Sequence, residues 1–295
     1  MTSTQPAPVL VLVPGAAGAP ADGGPRFHLA DADAPQLSVI DLVVTRGDGV
    51  FETIGAFDGT AVNVGPHLER LARSAAQLEL PAPEQATIAE AVEAAITAHE
   101  AVAELSVRVM YTRGLEGGSA PTCWIHARVS DDWSAHREGI RVAALDRGLP
   151  TTAAQTSPWL LQGAKTLSYA VNMAAGREAR RRGAADVLFV ASDGYVLEGP
   201  TSTLLVRRGE EFLTTPVSAG VLPGTSVNTL FARLQAEGVT VREQLMTPAE
   251  VQGSDAAWLL SSTRLAAPIT HLDDVELPVD SALTDRFGRI LAGRD

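Results

Sequence analysis

The stretch AKTLSYAVNMAA (164–175) contains Lys165, the only lysine in a chain of 295 residues that carries 22 arginines. Lysine is normally among the commonest residues of soluble proteins. One ammonium group kept where guanidinium serves everywhere else points to chemistry that arginine cannot perform. A guanidinium stays protonated, whereas an amine on a flexible stem can lose its proton, attack an aldehyde and later act as a base. Biased composition with one chance survivor is the competing reading of the residue taken alone. Tyr169 lies four residues on and faces the same way if the segment is helical.

Outward from the lysine, three short motifs join it. Glu198 opens EGPTST (198–203) on the strand expected after a hairpin through Ser192-Asp193-Gly194; LPGTS (222–226) opens a helix; LLSST (259–263) closes a strand. Hydroxyls and backbone N–H groups at a helix start form an anion cradle, and phosphate is its usual occupant. A lysine, a carboxylate and a phosphate cradle are what a protein supplies to pyridoxal 5′-phosphate: a partner for the aldehyde, a charge that keeps the pyridine nitrogen protonated, and a hold on the phosphate. Singly, Glu198 also reads as a solvated strand-end charge and LPGTS as an ordinary helix cap.

The rest of the pattern is α+β. Strands are expected at Val9–Val13, at Val39–Val44 running into the turn Arg46-Gly47-Asp48-Gly49, and at 105–112, 122–129 and 140–145. From Pro66, Leu68, Leu71, Ala75 and Leu78 recur at helical spacing with Pro81 as the stop, and a second helix is expected over 84–100. Beyond a Pro/Thr/Gly-rich break come a helix over 168–182, strands over 186–191 and 203–206, a helix over 225–237, and strands near 239–243 and 257–261. The expected division is an N-terminal domain (1–148), a linker (149–163) and a C-terminal domain (164–295), with residues 1 to about 25 a first strand and a loose connection.

A net charge of −12 argues against nucleic-acid or anionic-membrane partners, which need a basic footprint. The run Arg180-Arg181-Arg182 is too short to alter that and complements a helix C-terminus. Cys123 stands alone, so neither an internal disulfide nor a cysteine metal cluster is expected, and no metal site is assigned. The Val9–Val13 run lacks preceding basic residues, and no apolar run approaches the roughly 18 residues that span a bilayer. A reducing cytoplasm is the expected compartment.

Taken together, RGDGVFET (46–53), HLERL (67–71), the lysine segment, DGYVLEGPTSTLLV (193–206), LPGTS and LLSST resemble, in order and spacing, the fold-type IV pyridoxal-phosphate enzymes. That group holds branched-chain aminotransferases, D-amino-acid aminotransferases and 4-amino-4-deoxychorismate lyases. The resemblance spans about residues 38 to 275. It implies a two-domain α+β fold like that of the D-amino-acid aminotransferases, with a small N-terminal α/β domain and a larger C-terminal domain containing a pseudo-barrel. It also implies pyridoxal 5′-phosphate as cofactor and a homodimer. Carried over by position, Lys165 matches the Schiff-base lysine and Glu198 the partner of the pyridine nitrogen. Arg70, Thr225, Ser226 and Ser262 match the phosphate ligands. Tyr169 stands where some members place a tyrosine near the phenolic oxygen, at an offset of four instead of five. From spacing alone, Arg70 reads as a solvated helix arginine beside Glu69.

The resemblance also bears on the reaction. D-amino-acid aminotransferases carry an Arg-x-His pair shortly after TRG and a tyrosine in DGVY; here TRGLEGGSAPT (112–122) has neither Arg nor His after the TRG, and Phe51 replaces the tyrosine. The whole pattern is most similar to actinobacterial proteins assigned as aminodeoxychorismate lyases, which release pyruvate and leave 4-aminobenzoate for folate synthesis. Tyr169 departs from the bacterial lyase pattern, which has an arginine there. Arg46 and Arg113 are candidates for the substrate carboxylates, each reading equally as a turn arginine paired with a nearby acid. Branched-chain or D-amino-acid transamination is the alternative expectation, and an inactive cofactor-binding homologue a second.

Overall fold

The computed structural model describes residues 5–20 and 23–294. Residues 1–4, 21 and 22, part of the expected first strand and loose connection, lie outside the described residues, as does residue 295. The chain packs as two compact units: Met1–Asp131 with Ala164–Tyr169, and Asp132–Gly163 with Ala170–Asp295.

The first unit is a six-stranded antiparallel sheet with two helices on one face. Its strands are β1 (Val9–Leu12), β2 (His28–Ala30), β3 (Gly49–Phe57), β4 (Thr60–Ala61), β5 (Glu104–Thr112) and β6 (Thr122–Val129), in the order β2-β1-β6-β5-β3-β4. Its helices are α1 (Leu42–Arg46), α2 (Val64–Gln77) and α3 (Gln85–Ala98). Alternation sends Val50, Glu52, Ile54 and Ala56 of β3 inward, against Leu68, Leu71 and Ala75 of α2. Each such Leu or Ile stabilises the unit by about 1.5–3 kcal/mol. The apolar spacing that predicts α2 is therefore the spacing that buries it.

The strand expected at Val39–Val44 is instead a bend followed by α1. The Asp41 carboxylate accepts the Val43 N–H at 2.9 Å, capping the helix, and Gly47 closes it at φ 68°. Asp41 is itself buried and accepts from the Thr112 and Thr122 hydroxyls at 3.0 and 2.7 Å. A fixed cap and a left-handed glycine override β propensity here, and they leave Val39 at 78% and Val44 at 57% exposure.

The second unit is larger. Its elements are α4 (Ser134–Glu138), β7 (Ile140–Asp146), α5 (Ala153–Thr156), α6 (Ala170–Arg181), β8 (Asp186–Val190), β9 (Thr203–Arg208), β10 (Glu211–Thr214), α7 (Thr225–Ala236), β11 (Thr240–Glu243), α8 (Pro248–Gln252), β12 (Ala256–Ser261), β13 (Leu265–Leu272), β14 (Val275–Glu276) and α9 (Ser281–Leu291). The curled sheet runs β11-β10-β9-β12-β13-β7-β8, with β14 on β13, and mixes parallel pairs (β10/β11, β13/β7, β7/β8) with antiparallel ones. Its core includes Leu188, Leu204, Val206, Leu213, Leu259 and Ile269.

The expected boundaries at 148 and 164 do not match this division. β7 pairs with both β13 and β8, and Ile140 and Val142 are buried among them, which ties residues 132–148 to the second unit. The expected linker holds α5 and a 3-10 turn at Pro158–Leu160 within that unit. Residues 164–169 return to the first unit: Phe51 N–H donates to Lys165 O at 3.0 Å, Leu167 N–H to Gly49 O at 2.8 Å, and Val50 and Thr166 form an antiparallel bridge. Helix α6 consequently starts at Ala170 and not near Ser168, so Lys165 and Tyr169 share no helix face. Glu198 likewise sits outside any regular strand, between isolated bridges at Val190/Val196 and Gly199/Ser202.

Candidate active site

In the first unit the lysine segment lies along β3 and beside α2. Lys165 N–H donates to Ser74 Oγ of α2 at 3.1 Å, while its Nζ stands 4.6 Å from the centroid of the Phe51 ring. Tyr169 meets the same ring edge-on at 5.4 Å. Phe51 therefore brings Lys165 and Tyr169 together although the helical geometry expected for them is absent. An aromatic face near an ammonium contributes about 0.5–1 kcal/mol or more where water is excluded.

Beneath that segment, Arg70 is buried and not solvated. Its Nε and Nη2 donate to Glu52 Oε1 and Oε2 at 2.8 and 2.6 Å, and His67 Nδ1 lies 2.7 Å from Oε2. All three side chains are almost wholly inaccessible. Burial by itself would raise the Glu52 carboxyl; the Arg70 hydrogen bonds and charge, aided by His67, outweigh it and hold the group at about 2. Burial lowers His67 from its ordinary value against the pull of Glu52, and the charges of Arg70 and Lys165 add to the lowering. The imidazole is accordingly neutral near pH 7, with Nδ1–H donating to Glu52.

The two candidate carboxylate arginines fare differently from each other. Arg113 donates through Nε and Nη2 to Asp48, at 2.6 and 3.3 Å, and to the carbonyls of Leu78 and Glu79 at 2.7 and 3.3 Å. It is the turn arginine paired with a nearby acid, bracing the end of α2 against the RGDG turn. Arg46 is exposed at the end of α1, with its Nη1 on Thr45 O at 3.0 Å. A third arginine, absent from the sequence reading, stands on the sheet face that carries Phe51. Thr53 pairs with Arg108, and Arg108 with His126. Arg108 is half-buried and its guanidinium makes no hydrogen bond or ion pair among the described residues; Asp131, whose charge reaches it, is held by Arg128 at 2.9 and 2.8 Å. Burial, with the charges of Arg108 and Arg128, lowers the His126 imidazole, so the face is electropositive.

In the second unit, Glu198 Oε1 accepts the Leu222 N–H at 3.1 Å, tying the EGPTST turn to the start of LPGTS. Helix α7 begins at Thr225 with Gly224 as an N-cap that offers no side chain, and Thr225 and Ser226 are buried in its first turn. A Cβ on Gly224 would lie 2.3 Å from Thr203 Oγ1. Thr203 pairs with Leu260, so the half-buried Ser262 just past β12 belongs to the same end of the sheet. The buried Ser202 Oγ, close beside Gly199, has no hydrogen-bond partner among the described residues. The four predicted residues of this unit thus gather at one end of its sheet. Glu52, His67, Arg108 and Ser202 were not predicted. Glu52 had one legible signal, a carboxylate on the apolar face of a strand otherwise occupied by Val50 and Ile54.

Comparison with known proteins gives the family and the fold. The family model for amino-transferase class IV matches residues 49–272. A Mycobacterium tuberculosis protein described as a bifunctional aminodeoxychorismate lyase / D-amino acid transaminase is 43% identical over 258 residues, covering 83% of this chain and 88% of its own. A fold IV transaminase structure from Curtobacterium pusillum superposes with a TM-score of 0.93 at 46% identity, covering 97% and 98% of the two chains. A PLP-bound structure of a hypothetical aminotransferase from M. tuberculosis gives 0.87 at 37% identity, with the same coverage.

Proposed function

The chain belongs to the class IV aminotransferases, a family of pyridoxal 5′-phosphate enzymes, and from that membership we propose that it is a 4-amino-4-deoxychorismate lyase, releasing pyruvate and leaving 4-aminobenzoate. The residues present fit the cofactor. A helix start with a glycine cap and buried Thr225 and Ser226 suits a phosphate, and the orphaned Ser202 hydroxyl adds a donor at the same end of the sheet. When bound, pyridoxal phosphate supplies a ring that takes up the electrons released as a proton leaves the amine-bearing carbon of the substrate.

The protein's own residues would do the rest. Lys165 Nζ would be the group that holds the cofactor's aldehyde, and as a free amine it would serve as the base for that proton. Glu198 would supply the negative charge for the pyridine nitrogen, and the Leu222 N–H donates to its Oε1 and helps to orient the carboxylate. In the first unit Arg70, anchored by Glu52, would serve as a phosphate ligand; in the second, Thr225, Ser226 and Ser262 would do the same. Tyr169 stays beside Lys165 through their shared contact with Phe51. Arg108 would receive a substrate carboxylate, since its guanidinium has no acceptor among the described residues and Arg113 is already engaged. Expulsion of the enolpyruvyl group balances without water or acceptor: the proton removed at carbon returns to the departing enol, which becomes pyruvate.

The observation that carries the lyase reading is the loop after Arg113. Residues 114–121 offer neither arginine nor histidine, and Arg113 itself is tied to Asp48, so the trap for a D-amino-acid carboxylate is missing. Branched-chain or D-amino-acid transamination is the second reading; the bifunctional relative favours the D-amino-acid form, and the Curtobacterium structure favours transamination in general. The test supplies aminodeoxychorismate with no keto acid and measures pyruvate and 4-aminobenzoate, then D-alanine or a branched-chain amino acid with 2-oxoglutarate, comparing kcat/KM. Product that appears only with an amino acceptor overturns the lyase reading in favour of the transaminase.

A further inference from the structure

We infer that Glu52 and His67 are positioning residues that set the guanidinium plane of Arg70 for the cofactor's phosphate, an inference that rests on the assignment of Arg70 as a phosphate ligand. Arginine's side chain has large rotamer freedom, and the phosphate contact of an unheld arginine would be weakened by the cost of ordering it. Here that ordering is built into the fold. Glu52 takes Arg70 by its Nε–Nη2 edge, two bonds in parallel, which fixes both the plane and the direction of the opposite edge. His67 holds Glu52 in turn, its Nδ1–H on the same Oε2 that accepts from Arg70.

The spacing leaves little slack. Glu52 stands on the inward face of β3, while His67 and Arg70 are one turn apart on α2, so strand register and helix phase jointly set the three side chains. Phe51, next to Glu52, and Ser74, one turn beyond Arg70, both bond the Lys165 backbone. The elements that aim Arg70 therefore also carry the lysine. A carboxylate is needed because it neutralises Arg70 in a buried place, and a neutral imidazole because a second cation would compete with Arg70 for Glu52.

The experiment compares two ligands, pyridoxal 5′-phosphate and pyridoxal, which share the aldehyde and ring and differ in the phosphate. Dissociation constants are measured by spectroscopic titration of the full-length apoprotein. Glu52→Gln should weaken pyridoxal phosphate at least tenfold while changing pyridoxal binding little. His67→Leu, which keeps the Glu52–Arg70 charge pair but removes the brace, should show the same selectivity in smaller measure and remains informative if Glu52→Gln fails to fold. His67→Asn restores an N–H donor near Nδ1 and should recover the affinity. General damage to the unit would weaken both ligands equally, and that result overturns the inference, as does an unchanged or tighter phosphate ligand in Glu52→Gln. Arg70→Leu separates the two levels. If it leaves the preference for the phosphorylated ligand intact, the assignment of Arg70 is wrong; if it abolishes the preference while the Glu52 and His67 variants keep theirs, only the positioning role fails.

Discussion

Acid should unfasten the first unit before neutral-pH stability gives any warning, and Glu52 sets the size of the effect. Its carboxyl lies at about 2 in the folded protein against an ordinary value of 4.5. At about 1.4 kcal/mol per pH unit, the difference corresponds to about 3 kcal/mol of stability. The folded pKa is the lower one, so between 4.5 and about 2 the unfolded chain binds the extra proton. The contribution is complete above pH 4.5 and is lost as pH falls through that window. His67 acts in the same direction: its folded value is also lowered, so below about pH 6.5 the unfolded imidazole takes up a proton that the folded one refuses. Hydrogen exchange on peptides from β3 and α2, followed from pH 7 down to pH 2.5, should show protection falling in two stages. Glu52→Gln should begin about 3 kcal/mol less protected at pH 7, because a buried guanidinium loses its counter-charge, and should converge on the parent in acid. Parallel pH profiles for parent and variant would refute the argument, since they would mean that Glu52 is not the titrating group.

Four further outcomes follow from the site. Lys165→Arg keeps charge and most of the volume, so it should fold with an unchanged circular dichroism spectrum yet lack visible cofactor absorbance and activity. Glu198→Gln preserves the Leu222 contact but removes the charge, and should retain cofactor while kcat falls by orders of magnitude. Arg108→Leu should raise KM for a carboxylate substrate by a factor reflecting about 1.5–3 kcal/mol; a normal KM would exclude Arg108 from the substrate. Light scattering should give twice the chain mass, consistent with the apolar residues Val39, Ile40, Val44 and Leu115 left exposed in the first unit; an active monomer would refute the dimer.

Much of the secondary structure was legible because burial wrote a period into it. Leu68, Leu71 and Ala75 could only be a helix face, whereas the strand Gly49–Phe57 is not among those the sequence predicts, its alternation blurred by the buried run Ile54–Phe57. Val39–Val44 misleads because its β-branched residues are overruled by one aspartate and one glycine whose partners, Thr112 and Thr122, are distant in sequence. Leu265–Leu272 is not among the strands the sequence predicts. Pro268 argues against a central strand there, and the ladder to β7 shifts register just beyond it. The residues themselves pointed to Lys165 and Glu198 and the family resemblance to Arg70, but nothing in HLERL says that its arginine is buried on a carboxylate. That fact depends on how α2 is phased against β3. Arg108 escaped notice because one charge amid VRVMYT looks like any exposed strand residue until its lack of an acceptor is seen in three dimensions.

The excursion of residues 164–169 constrains the order in which the protein can be made. A ribosome delivers Met1–Asp131 first, with Phe51 and Ser74 but without the segment that bonds to them, and then delivers 32 residues belonging to the other unit before Ala164 appears. The nascent first unit thus presents the edge of β3 near Gly49–Phe51 with its backbone groups awaiting a partner, an opening that another chain's strand could fill. A gene fragment ending at Asp131 would keep that opening permanently and would also lack the lysine. The second unit, conversely, must begin folding with a stretch of its own chain drawn away to the first and returned at Ala170. Splitting the protein into two separately expressed domains at any single point would therefore break one of them, and a workable division needs three cuts, after Asp131, Gly163 and Tyr169.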